Sequence, residues 1–168
     1  MKTRELTFLL IITAFLLAGC NRNKENPGLL EKTKVFASGF LLADTIIYDV
    51  IIKSTDPYDP WMNQSLGKLK HKNLIDSIFD MVYAKELIAY DYFTNKEMSL
   101  KDIRDIENEE DFNRQTIGKI QFAEAWYFNR DEGRFIKEII SVTLGHEIYE
   151  DSGELRGYRP IFKVYLNP

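Results

Sequence analysis

The chain has 168 residues, 45% of them hydrophobic and 29% charged, with five prolines, nine glycines and no low-complexity run. This is the composition of a globular protein with apolar content for one core, and a single cysteine excludes an internal disulfide framework. A net charge of -4 argues against nucleic acid as a partner, because duplex binding draws on a basic face.

Lys2 and Arg4 precede the apolar stretch 6–18, whose polar members are Thr7 and Thr13. This is the charged start and apolar body of a signal peptide. The stretch is too short to span a bilayer, which takes about 20 apolar residues. It ends in Leu17-Ala18-Gly19-Cys20, a bacterial lipobox pattern in which the cysteine thiol takes a diacylglyceryl group before cleavage. Residues 1–19 are therefore expected to be a lipoprotein signal peptide. Cys20 becomes the acylated first residue, residues 20–34 a polar tether, and residues 35–168 one domain. With more than one acyl chain and about 0.8 kcal/mol per buried methylene, attachment to the membrane through Cys20 would be effectively permanent.

In the mature chain, residues 46–52 are rich in β-branched side chains and predict a strand, while 35–43 fit either strand or helix. Two Asx-Pro pairs, Asp56-Pro57 and Asp59-Pro60, predict a turn that Trp61 closes. Leu74, Ile75, Ile78, Phe79 and Val82 recur at helical spacing, with Asn73 as a candidate N-cap, so a helix is predicted over 74–85 with Leu74, Ile78 and Val82 buried. Residues 86–93 look strand-like. Ser99 with Asp102 forms a capping-box pattern opening a second helix, whose end precedes the acidic run 107–111.

Residues 116–128 and 134–144 are the two longest strand candidates, joined through Gly133 into a hairpin, and 161–166 is a closing strand. Ile120, Phe122, Trp126 and Phe128 fall on one face of the first hairpin strand, and Ile136, Ile140, Val142 and Leu144 on one face of the second. If Phe128 opposes Arg134, then Glu124 opposes Glu138, two like charges in an apolar stripe that would destabilise the sheet. Three resolutions are open: a basic side chain from elsewhere, one protonated carboxyl with a raised pKa, or a bulge that shifts the register.

Other chemistry is thinly represented. His146-Glu147-Ile148-Tyr149-Glu150 imitates a zinc-hydrolase motif without its second histidine, and the other histidine, His71, is far away in the chain. His146 is therefore expected to be a solvated loop residue. No nucleophile-elbow, P-loop or dinucleotide-binding pattern occurs, so no catalytic residue, metal or cofactor is expected. Tyr58 and Trp61 beside the prolines, and Tyr149 and Tyr158 around the turn at 151–154, form a candidate interaction surface. The same four rings could instead cover the ends of the domain's own core.

Two segments carry a family resemblance. Residues 74–103, LIDSIFDMVYAKELIAYDYFTNKEMSLKDI, and residues 120–166, with AWYFNRDEG, FIKEIISV and a closing strand, resemble the gliding motility protein N family (GldN, also called PorN). This chain would be a divergent, shorter member carrying its own lipid. The resemblance implies a non-enzymatic component of the gliding motility and type IX secretion assembly of the Bacteroidetes, on the periplasmic side of the outer membrane, with envelope proteins as partners. A lipid-anchored module binding a ligand or peptide is the alternative. The fold expected is α+β: an antiparallel sheet around the long hairpin, with one or two helices packed on a face.

Overall fold

The computed structural model describes residues 39–56 and 58–166. The segments expected as signal peptide and tether, with Cys20, lie outside the described residues. Five strands form one antiparallel sheet: β1 (Phe40–Ile51), β2 (Ala89–Tyr90), β3 (Ile117–Asn129), β4 (Arg134–Tyr149) and β5 (Leu155–Tyr165), in the order β1-β3-β4-β5-β2. The helices among the described residues are α1 (Pro60–Leu66), α2 (His71–Tyr83) and α3 (Leu100–Glu107), with a 3-10 turn at Arg114–Thr116. The fold class is α+β, as the sequence predicted.

The core lies between one sheet face and helices α2 and α3. Ile75, Ile78, Phe79 and Val82 of α2 and Ile103 of α3 meet Ile117, Ile120, Val142, Leu144, Phe162 and Val164. Phe79 sets its ring edge-on to Phe162 at 5.1 Å. The Arg114 guanidinium lies over the Phe79 ring at 4.3 Å and bonds Glu107 at 2.6 Å and Asp76 at 3.4 Å, tying α2 and α3 together.

Helix α2 starts earlier than the expected N-cap at Asn73, because His71 docks the first turn onto the sheet through a 2.5 Å contact between Nε2 and the Ile117 carbonyl. The helix turns Ile75 and Phe79 fully inward and leaves Leu74, expected in the core, 37% exposed. Helix α3 opens as expected: Ser99 Oγ accepts from the Asp102 amide while the Asp102 carboxylate accepts from the Ser99 amide. The strand expected over 86–93 shrinks to Ala89–Tyr90, since the chain next closes a tight turn at Asp91. Helix α1 was not anticipated. Its signal was present in Asp59-Pro60: Asp59 caps the Met62 amide at 2.9 Å and proline occupies the first turn, where its missing N–H costs nothing.

The hairpin exists, but its register differs from the expectation. Asn129, not Phe128, stands opposite Arg134. The Asn129 side-chain oxygen accepts from the Asp131 and Glu132 amides at 3.0 and 3.1 Å, and Gly133 sits at φ +61°, so the turn closes one residue tighter. A one-residue slip sends side chains to the opposite face. Glu138 therefore pairs with Ala125, and Glu124 with Ile139. A further shift between Ala123 and Glu124 leaves Ile140 as the extra residue of β4, which puts Ile136 on the face opposite Val142 and Leu144.

Candidate interaction surface

The two glutamates of the expected carboxylate pair thus stand on opposite faces of the sheet. Glu138 lies 3.4 Å from the Tyr127 hydroxyl. Glu124 is buried on the other face, where it accepts from the Tyr48 hydroxyl at 2.6 Å and from Trp126 Nε1 at 2.9 Å, with Lys137 Nζ 3.5 Å away. Lys137 lies 4.4 Å above the Trp126 ring and 5.7 Å above that of Tyr48, and Trp126 meets Phe135 edge-on at 5.3 Å. Burial pushes the Glu124 pKa up. The bonds from Tyr48 and Trp126 and the nearby ammonium outweigh it, so the carboxyl stays below its ordinary value of 4.5.

That shift has a pH signature. With the folded value below the unfolded one, the contribution of Glu124 is complete above about pH 4.5 and is lost as pH falls through the folded value. Glu124→Gln should therefore cost about 1.5–3 kcal/mol at neutral pH, the scale of a hydrogen bond to a charged group, and progressively less in acid. Urea midpoints of both proteins at pH 7 and pH 3.5 check this; a deficit that grows in acid would show that the carboxylate is not held charged.

His146 and Glu147 are strand residues, not the solvated loop expected. Both are 2% exposed, and strand alternation sends them to opposite faces. His146 stacks on Phe112 at 5.4 Å, and the nearby Asp111 backbone does not reach hydrogen-bond geometry. Burial, then the Arg159 charge, pushes the His146 pKa down, which keeps the ring neutral as a core histidine. Among the described residues no group of three His, Cys, Asp or Glu is placed to hold a metal.

Glu147 organises the surface instead. Its carboxylate takes Lys53 Nζ at 2.5 Å and the Tyr149 hydroxyl at 2.8 Å, both on Oε2, while Oε1 is buried with no hydrogen-bond partner among the described residues. Gly118 makes this possible, because a Cβ there would collide with the Glu147 carboxylate. Burial and the bond to Glu147 push the Tyr149 hydroxyl up to about 12. Tyr158 stands opposite Glu147 across the β4–β5 ladder, with Lys119 Nζ 5.2 Å over its ring. Of the four aromatic residues singled out, the structure joins Tyr149 and Tyr158 around Glu147.

Tyr58 and Trp61 lie on the segment that leaves Lys53, and they stand clear of the core at 90% and 71% exposure. This segment is held by its own hydrogen bonds. Asp56 accepts from the Tyr58 amide at 2.7 Å, its carbonyl takes the Ser54 hydroxyl at 2.8 Å, and α1 buries no residue. Sequence reasoning missed the joining of Lys53, Gly118 and Glu147, since nothing local marks residues 29 to 94 positions apart as partners.

These features define an α+β domain that presents aromatic side chains from hydrogen-bonded segments, with the buried carboxylates Glu124 and Glu147 held by lysine and tyrosine partners. Comparison with protein families is specific: residues 43–167 match the profile of the gliding motility associated protein GldN. The chain belongs to the GldN family, and is a gliding motility associated protein. Among curated proteins none matches it significantly.

Proposed function

We propose that the protein is a lipid-anchored, non-enzymatic component of the gliding motility and type IX secretion assembly, held by Cys20 at the periplasmic side of the outer membrane. In this reading residues 1–19 are cleaved, 20–34 form the tether, and 35–168 are the docking domain. The observation that carries it, beside the family membership, is the exposed pair Tyr58 and Trp61 on a capped segment whose helix buries no residue fully. Large rigid rings with a polar tip are enriched at the cores of protein interfaces. Among the described residues no helix is long and apolar enough to cross a membrane.

Trp61→Ala should leave the melting temperature within about 2 °C of the parent, the scale of a surface substitution, while removing the protein from a large membrane complex on native gels. Cys20→Ser should release it from the membrane fraction or leave it uncleaved. Wild-type protein that migrates alone after cross-linking, or whose intact mass shows an unmodified Cys20, would refute the assembly and the anchor respectively.

A further inference from the structure

The sheet face turned away from the helices carries unusual residues for a surface exposed to water. Across the two central strands, Gln121 stands opposite Thr143 and Ala123 opposite Ser141, with Lys119 opposite Gly145 one pair along. Small residues thus form the floor, and Thr143 and Ser141 are each 5% exposed. Larger residues wall it: Ile47 of β1 beyond Ala123, and Lys163 and Tyr165 of β5 beyond Thr143 and Ser141. Two adjoining hollows of about 220 and 520 Å³ result, sharing Tyr92, Phe93, Gln121 and Thr143. A trough therefore runs along β3 and β4.

Its overhang is built rigidly. The turn after β2 is closed by the Thr94 amide and hydroxyl on Asp91 Oδ1 at 2.7 and 2.6 Å, and by the Asn95 amide on the Asp91 carbonyl at 2.9 Å. Asn95 takes a left-handed φ of +53° and its side-chain oxygen accepts from the Tyr165 hydroxyl at 3.0 Å, pinning the turn to β5. This leaves Phe93 80% exposed beside the trough, a rigid aromatic anchor.

The charged side chains that line the trough are Lys119 and Lys163, in a chain of net charge -4, while the carboxylates of the same sheet face, Asp49, Glu138 and Glu147, lie outside its lining. Asp49 is already engaged by Lys119 at 2.8 Å and Gln121 at 2.9 Å. Lys163, whose ammonium lies 5.2 Å over the Tyr165 ring, has no carboxylate partner among the described residues. Along β3, the rows at 119, 121 and 123 repeat about every 6.6 Å, the spacing of alternate side chains in any extended chain laid along them.

We propose that this trough binds an extended acidic peptide segment of a partner protein, with a carboxylate on Lys163 and an apolar side chain beneath Phe93. The inference rests on the assembly reading only for the partner being a protein. It uses neither Trp61 nor the lipid.

Fluorescence anisotropy with the full chain in detergent tests it, using a labelled hexapeptide that alternates glutamate with valine. The acidic peptide should bind, and its counterpart with lysine in place of glutamate should not. Lys163→Glu and Phe93→Ser should each weaken binding about tenfold, while Lys101→Glu on α3 and Trp61→Ala leave it unchanged. Both trough variants alter exposed or half-exposed side chains, and an unchanged melting temperature certifies their folding. Absence of binding at millimolar peptide would overturn the proposal. So would binding indifferent to Lys163 and Phe93, or an oligogalacturonate binding with the same dependence on them in place of the peptide. Failure here with Trp61→Ala still displaced on native gels would sink the trough and leave the assembly reading standing.

Discussion

Phe79→Ala should destabilise the domain by about 3–5 kcal/mol, the range for removing a large aromatic side chain from a packed core. Phe79 is fully buried at the centre of the helix–sheet contact, where its ring meets Phe162 at 5.1 Å, Phe112 at 6.2 Å and the Arg114 guanidinium at 4.3 Å. Truncation would leave a cavity and uncover Arg114, so a large part of a stability of typically 5–15 kcal/mol would be lost. On the same helix Leu74→Ala, at a position 37% exposed, should cost less than about 1 kcal/mol. Urea midpoints compare the two, and similar losses would show that α2 packs through a different face.

Lys53→Met should cost about 3 kcal/mol, the lower end of the range for breaking a buried ion pair because Lys53 itself is a third exposed. The penalty comes from what stays behind: a fully buried Glu147 carboxylate whose Oε1 already has no partner among the described residues and whose Oε2 would keep the Tyr149 hydroxyl alone. Adding Glu147→Leu to Lys53→Met should recover much of the loss, since the uncompensated charge goes with it. A double variant as unstable as the sum of the two single ones would mean that the residues do not act as a pair. The same substitution frees the start of the segment bearing Tyr58 and Trp61, so proteolysis between Lys53 and α1 should accelerate before global unfolding.

Local chemistry was legible without coordinates. The capping box at Ser99 and Asp102, the apolar spacing of α2, the Gly133 turn and the alternation of β3 each depend on residues a few positions apart. For such residues, backbone geometry and the hydrophobic period carry the information. The family resemblance was readable for a related reason: it rests on the order of these local packing patterns along the chain, over much of the span that matches the GldN profile.

What depends on long-range partners was not legible. The register of β3 on β4 turned on which side-chain oxygen closes the turn, and Asn129 closing it one residue tighter was enough to put Glu124 and Glu138 on opposite faces. Glu124 is held by Tyr48, 76 residues away, and Glu147 by Lys53, 94 residues away. Composition and periodicity determined that this chain folds as a sheet with helices packed on one side. Which carboxylates are charged and buried, and which aromatic rings face outward, the tertiary structure alone decided. Burial and ion pairing are properties of surfaces brought together by folding, and a one-residue slip in pairing reverses them without changing a residue.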